Sequence, residues 1–177
     1  MKKSVFIAQS LDGYIARENG GIDWLEEFNK TVPKGVDCGY GEFCQSVDHL
    51  ILGRNSFEKI LEFDSWPYTS ETTVLTQRGL KIPESLEAQV KLSSESPQVL
   101  CDRLESEGFR HLYIDGGKVI QSFLRSGLID DMIITTIPVL IGSGSSLFGS
   151  LSHDIMLQHQ KTISYPFGAV QSVYKVI

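Results

Sequence analysis

The sequence predicts an α/β protein built on a mostly parallel central sheet. In three places a short strand-like run ends at a polar residue or a glycine, and a helical pattern or a turn follows at once. These runs occupy residues 50–52, 72–75 and 112–114. A fourth run, residues 129–140, is almost entirely apolar or β-branched, which is typical of a strand covered on both faces.

The composition is that of an ordinary globular domain. Of the 177 residues, 41% are hydrophobic and 21% are charged, so we expect a single domain, residues 1–177, with one sizeable core. The net charge of −6 argues against a nucleic-acid or anionic-membrane partner, since either would need a clustered basic face. No apolar run is long enough to span a membrane.

Cysteine and histidine usage points to a reduced, metal-free protein. Cys38, Cys44 and Cys101 are odd in number and lack CxxC spacing, which favours a cytoplasmic setting over a disulfide framework. The four histidines show no zinc-like spacing with these cysteines. We therefore expect no metal site.

The first strand is predicted over residues 4–9, followed by a loop, residues 10–16, that carries a glycine and an acid. In the next loop, residues 18–25, two adjacent glycines allow movement and Trp24 offers an aromatic anchor when the loop closes. Trp24 is thus a candidate pocket wall in a catalytic site. The alternative is that Trp24 belongs to the core.

A short helix is predicted after the turn-rich connector at residues 29–39. Its apolar face is formed by Tyr40, Phe43, Cys44 and Val47, which recur at helical spacing. Asp37 lies just before this helix, where it either caps the N-terminus or faces a pocket. If it faces a pocket, Asp37 is the candidate proton donor or substrate anchor.

Two of the strand ends have the composition of a phosphate site. After residues 50–52, Asn55 and Glu58 have the spacing of a capping box, Ser56 adds a hydroxyl, and Arg54 adds a cation that a cap does not need. After residues 72–75, Thr76 and Arg78 follow with no acid nearby, which favours NADPH over NADH if a dinucleotide binds. The alternative for Arg78 is an ordinary surface charge.

The third strand end is a glycine turn. A helix over residues 98–107, ended by Gly108, precedes the strand at residues 112–114. Gly116 and Gly117 permit positive φ and close backbone approach, and the following helix start presents unpaired N–H groups to a pyrophosphate. The alternative is a βα turn with no ligand, because neither the GxGxxG nor the P-loop pattern is present.

The C-terminal part is predicted to contain a loop and a hairpin. Residues 138–146 are rich in glycine and serine, as in a flexible loop that closes over a ligand, with a plain solvent loop as the alternative. Residues 163–176 alternate around a central turn, which predicts an antiparallel hairpin.

Five short motifs occur in a specific order along the chain. They are Ala8 with residues 10–16, Trp24, residues 53–56, residues 76–78 and residues 114–120. This order resembles the dihydrofolate reductase-like superfamily, most closely the group that includes the reductase domain of the riboflavin-biosynthesis deaminase/reductase, the RibD C-terminal domain. The resemblance covers nearly the whole chain.

The resemblance implies a dihydrofolate reductase-like three-layer sandwich with NADPH across the carboxyl ends of the parallel strands, and a homodimer. In that family the positions of Ala8 and Ile15 contact the nicotinamide side, later motifs hold phosphates, and residues 116–120 cradle the pyrophosphate. The residues expected to bind the cofactor are Ala8, Ile15, Gly53, Arg54, Asn55, Ser56, Thr76, Gln77, Arg78, Ile114, Gly116, Gly117, Lys118, Val119 and Ile120.

The implied activity is NADPH-dependent reduction of a C=N or C=O group in a small heterocyclic or sugar-derived substrate, as in 5-amino-6-(5-phosphoribosylamino)uracil reductase. Two alternatives stay open: a dihydrofolate reductase proper, and a non-catalytic NADPH-binding sensor or assembly protein. A short-chain dehydrogenase is excluded because no helical Tyr-x-x-x-Lys pair is present.

Two departures from the family patterns bear on the substrate. Dihydrofolate reductases carry an acid on a helix face where this chain has Tyr40 and Phe43, although counting back from Gly53 puts Asp37 near that place. A phosphorylated riboflavin precursor would call for basic residues near the first loop. The basic residues available there are Arg17, Lys30 and Lys34.

Overall fold

The computed structural model describes residues 1–177 and contains ten strands and five α-helices. The strands are β1 (Lys2–Ser10), β2 (Tyr14–Ala16), β3 (His49–Gly53), β4 (Glu71–Leu75), β5 (Val90–Ser93), β6 (His111–Ile114), β7 (Asp131–Ile137), β8 (Ser145–Ser146), β9 (Leu157–Ser164) and β10 (Val170–Val176). The helices are α1 (Asp23–Asn29), α2 (Tyr40–Ser46), α3 (Arg54–Ile60), α4 (Pro97–Ser106) and α5 (Gly117–Arg125), with a 3₁₀ turn at Glu84–Leu86. The longest helix has ten residues, about half of what a bilayer crossing requires.

Eight strands form one sheet in the order β5-β4-β3-β6-β1-β7-β10-β9. The six strands from β5 to β7 run parallel, whereas β10 is antiparallel to both β7 and β9. This topology confirms the predicted α/β class, the mostly parallel sheet and the C-terminal antiparallel hairpin. It also brings the carboxyl ends of the parallel strands to one edge.

Successive side chains of a strand point to opposite faces of the sheet, so each face carries apolar residues, and helices cover both faces. Ile51 of β3 points into a core with α4 and α5, which contribute fully buried Leu100 and Phe123. Its neighbour Leu52 points to the opposite core with α2 and α3, which contains buried Phe57. The three layers that result are those the resemblance implied.

The glycine- and serine-rich segment at residues 138–146 is pinned to the first loop. The Asp12 carboxylate accepts the N–H groups of Ile141 at 3.1 Å and Gly142 at 2.8 Å, and β8 pairs antiparallel with β2. Backbone pairing and the Asp12 bridge fix the position of this segment in the structure, and its closure over a ligand stays a prediction.

Gly144 allows this pinned segment to approach β2. A Cβ at Gly144 would overlap the carbonyl oxygen of Ala16, which is backbone and cannot rotate away. We expect Gly144→Ala to lower the free energy of unfolding by about 1–3 kcal/mol, the usual cost of overpacking, in urea titrations. Gly79→Ala is the control, because a Cβ there meets no atom within 4 Å. Equal stability of both variants would contradict the tight β2–β8 contact.

Candidate active site

A cleft of about 1810 Å³ follows the carboxyl edge of the sheet. Its floor contains the ends of five parallel strands or the residues just after them: Ala8, Gly53, Leu75, Asp115 and Ile137. In open α/β sheets ligands bind in this position, next to the point where the strand order reverses. The three strand ends singled out in the sequence therefore meet in one cavity.

The β3–α3 and β6–α5 junctions touch each other across this edge. Gly116 has φ of 90°, and a Cβ there would lie 2.5 Å from Ser56 Oγ. Neither α3 nor α5 has a side-chain cap, so the first-turn N–H groups of both helices are left without an intrahelical or capping partner. Two adjacent helix starts of this kind suit an anion such as a pyrophosphate.

The predicted capping box at Asn55 and Glu58 is wrong. The helix α3 begins at Arg54 with Gly53 as its N-cap, so Asn55 lies inside the first turn. Glu58 accepts a hydrogen bond from Arg54 Nε at 2.8 Å. The two side chains, which lie one helical turn apart on α3, form an ion pair. Glu58 thus neutralises the cation that was expected to serve a phosphate directly.

The end of β4 is shaped by its own polar side chains. Thr76 Oγ1 accepts the N–H of Arg78 at 3.2 Å and donates to the Arg78 carbonyl at 2.9 Å. Gln77 Nε2 donates to the Ser94 carbonyl at 3.0 Å and ties this turn to the end of β5. Thr76 and Gln77 therefore build the turn, and Arg78 is the exposed group that the turn presents to the cleft.

We name the part of the cleft next to the ends of β3, β4 and β6 the phosphate-like half. It contains two cations that form no ion pair. Four basic residues line the whole cleft: Arg54, Lys59, Arg78 and Lys118. Arg54 pairs with Glu58 and Lys59 pairs with Glu62, whereas Arg78 and Lys118 form no ion pair. Lys118 lies in the first turn of α5, directly after the glycine turn, and Arg78 lies in the turn after β4.

Most of the residues predicted to bind a cofactor line this cleft. They are Ala8, Ile15, Gly53, Arg54, Asn55, Ser56, Thr76, Gln77, Arg78, Gly116, Gly117, Lys118 and Val119. Ile114 and Ile120 do not line it, because both side chains are fully buried in the core between the sheet and helices α4 and α5. Their role is to hold the glycine turn against the sheet.

The two candidate catalytic residues have different environments. Trp24 is buried with Ile137 and Ala169 and does not line the cleft, so the core alternative describes its position. Asp37 lines the cleft and also caps α2, since its carboxylate accepts the N–H groups of Gly41 at 2.8 Å and Gly39 at 2.9 Å. These bonds lower the pKa of Asp37, which favours a charged anchor over a proton donor.

Asp115 is the acid that sequence reasoning missed. It lies in the cleft between the end of β6 and the glycine turn, and burial raises its pKa to about 6 despite a hydrogen bond from the Gly116 N–H. Burial also raises the pKa of the Tyr68 and Tyr113 hydroxyls, and the charge of Asp115 raises them further. A carboxyl group with such a pKa can exchange protons near neutral pH.

The fold and the cleft define an α/β protein of dihydrofolate reductase-like architecture. A solved dihydrofolate reductase from Enterococcus faecalis, complexed with NADP(H) and RAB-propyl, matches 99% of this chain and 96% of its own chain with a TM-score of 0.65. Its sequence identity is 17%, so this match shows a shared fold.

The chain belongs to the RibD C-terminal domain family, whose model matches residues 66–170. A crystal structure from Shewanella sp. PV-4, of a protein provisionally assigned to riboflavin biosynthesis, matches 100% of this chain and 99% of its own with 38% identity and a TM-score of 0.92. The uncharacterized protein YwjB of Bacillus subtilis (strain 168) is 37% identical over 164 residues, which are 91% of this chain and 90% of YwjB. The family implied by the sequence motifs is thus confirmed.

The raised pKa of Asp115 predicts a stability change with pH. Between its ordinary value of 3.8 and about 6, the folded state binds more protons than the unfolded state, so the free energy of unfolding falls as pH rises through this window. Asp115→Asn should therefore be more stable than the parent at pH 7.5, by at most about 3 kcal/mol, and equal to it near pH 4.

Urea unfolding at both pH values measures this difference. Asp37→Asn is the matched control with the opposite sign: its lowered pKa stabilises the fold above pH 3.8, and that stabilisation is lost as pH falls. Asp37→Asn should therefore be less stable than the parent at pH 7.5. A loss of stability at pH 7.5 in Asp115→Asn would contradict its raised pKa.

Proposed function

We propose that this chain is an NADPH-dependent reductase. The observation that carries the proposal is the convergence of three strand ends, with two uncapped helix starts and two unpaired cations, on one cleft. Membership of the RibD C-terminal domain family and the NADP(H) complex of the structurally similar Enterococcus faecalis enzyme support it.

The residues present fit such a cofactor. The Gly116 turn, whose φ of 90° favours glycine, and the open first turns of α3 and α5 would hold the pyrophosphate. Arg78 would hold the 2′-phosphate, and Ala8 and Ile15 would border the nicotinamide. When bound, the cofactor would supply the hydride for reduction of a C=N or C=O group of the substrate.

The protein's own chemical contribution is a proton and a charged anchor. Reduction of a C=N or C=O group needs one proton in addition to the hydride. Asp115, with its pKa raised to about 6, holds such a proton in the floor of the cleft, while Asp37 stays ionised and accepts hydrogen bonds from the substrate. The two acids thus take separate roles because their environments shift their pKa values in opposite directions.

The rival function is NADPH binding without turnover, as a sensor or an assembly protein. The position of Asp115 disfavours it, because burial raises the pKa of this acid and the hydrogen bond from the Gly116 N–H does not offset that cost. A titratable acid beside the glycine turn is instead the feature that a reductase uses.

The Arg78→Ala variant tests the cofactor assignment. Removal of this cation should weaken NADPH binding about tenfold or more and leave NADH binding unchanged, since the two cofactors differ by the 2′-phosphate. Fluorescence titration with both cofactors measures the effect. Arg125→Ala is the control, an exposed cation of α5 outside the cleft. An equal loss for NADPH and NADH would remove Arg78 from the 2′-phosphate site.

The pH profile of turnover tests Asp115 as the proton donor. The protonated form is the active one, so kcat/KM should fall as pH rises above about 6. Asp115→Asn should lower kcat about 10²–10⁴-fold and remove this pH dependence while NADPH still binds. A variant with unchanged kcat and an unchanged profile would show that the proton comes from water instead.

A further inference from the structure

The charges lining the cleft select against phosphate on the substrate. We propose that the substrate is an unphosphorylated planar heterocycle, neutral or cationic; this inference rests on the proposed function. The cleft then excludes the ribose phosphate carried by the substrate of 5-amino-6-(5-phosphoribosylamino)uracil reductase. The inference comes from the part of the cleft away from the phosphate-like half, which we name the substrate half. It is lined by residues between 22 and 40 and by Phe6, Thr135, Ile137, Phe167 and Ala169.

The substrate half has no basic residue. Its lining side chains are apolar, aromatic or uncharged polar groups, and the one charge among them is the Asp37 carboxylate. Asp115 borders the same space from the strand edge. A phosphate dianion placed here would meet the Asp37 carboxylate and the Asp115 carboxyl group, and the nearest cation of the cleft wall, Lys59, is already paired with Glu62. This arrangement disfavours binding of a phosphate.

The cations near the substrate half are already paired. Arg17 makes two hydrogen bonds to Asp23, at 2.7 and 2.8 Å, and Lys30 pairs with Glu27. Neither Arg17 nor Lys30 lines the cleft, and Lys34 does not line it either. The three basic residues that the sequence offered for a substrate phosphate are thus absent from the cavity wall.

Lys59 is the cation of α3 that comes nearest to helix α1, and acids surround it. Glu62 accepts a hydrogen bond from Lys59 Nζ at 2.7 Å, and this bond raises the pKa of Lys59. The charges of Glu26 and Asp23, both exposed on α1, raise it further. Acids therefore outnumber this single cation where α1 and α3 approach each other.

The walls of the substrate half suit a flat ring. Phe6 and Tyr40 pack edge to face with ring centroids 5.2 Å apart, and both line the cleft. Phe28 and Phe167 line it from α1 and from the turn of the β9–β10 hairpin, with centroids 6.0 Å apart. Aromatic walls with two carboxylates favour a planar ring with N–H donors.

Calorimetric titration of the protein saturated with NADP⁺ tests the proposal without turnover. The two probes are 5-amino-6-(ribosylamino)uracil and its 5′-phosphate, which differ only in the phosphate. The unphosphorylated compound should bind about tenfold more tightly or better. Tighter or equal binding of the phosphate ester overturns the proposal. Failure of both compounds to bind, with NADP⁺ bound, overturns the substrate class and leaves the cofactor assignment intact. Failure of NADP⁺ itself to bind overturns the proposed function instead.

A charge reversal on α1 tests the physical cause. Glu26→Lys adds a cation beside Lys59 and should strengthen binding of the phosphate ester at least about fivefold, with little effect on the unphosphorylated probe. Glu87→Lys is the matched control, an exposed acid without an ion pair outside the cleft. Equal gains from both variants would assign the effect to net charge and overturn the local explanation.

Discussion

The close contact between the Gly116 turn and Ser56 is the constraint on which the site depends. Because β3 and β6 are neighbouring parallel strands, the segments that follow them leave the same edge of the sheet side by side. Gly116 has φ of 90°, which L side chains rarely adopt, and a Cβ there would also lie 2.5 Å from Ser56 Oγ, so glycine is strongly favoured where the two helix starts meet. The juxtaposed helix N-termini and the position of Asp115 directly before the turn follow from this packing.

The cleft along this edge has two regions that differ in charge. Toward β4 and α5, unpaired Arg78 and Lys118 and the helix N-termini make the cavity attractive to phosphates. Toward α1 and α2, aromatic side chains line the cleft together with the carboxylate of Asp37. This division gives a dinucleotide and a small uncharged or cationic ring distinct places, with Asp115 between the glycine turn and the aromatic wall.

The sequence predicted the fold well because hydrophobic periodicity and glycine placement report directly on local structure. The strand ends at Gly53, Thr76 and Gly116 were readable since each buried run stops there. Side-chain pairing was harder to predict from the sequence, since Arg54 and Glu58 form an ion pair in place of the expected capping box. Asp115 was missed because its pKa depends on burial near residues such as Tyr68, which is distant in sequence, although an acid between a buried strand and two glycines is a usable signal.

The most direct test of a single dinucleotide site is an amide chemical-shift titration of the isotope-labelled protein with NADPH. The account predicts that one saturating event perturbs the backbone signals of residues 53–56, 76–78 and 116–118 together, with the same affinity at all three strand ends. Perturbation at one strand end alone, different affinities among the three, or no response to NADPH would contradict it.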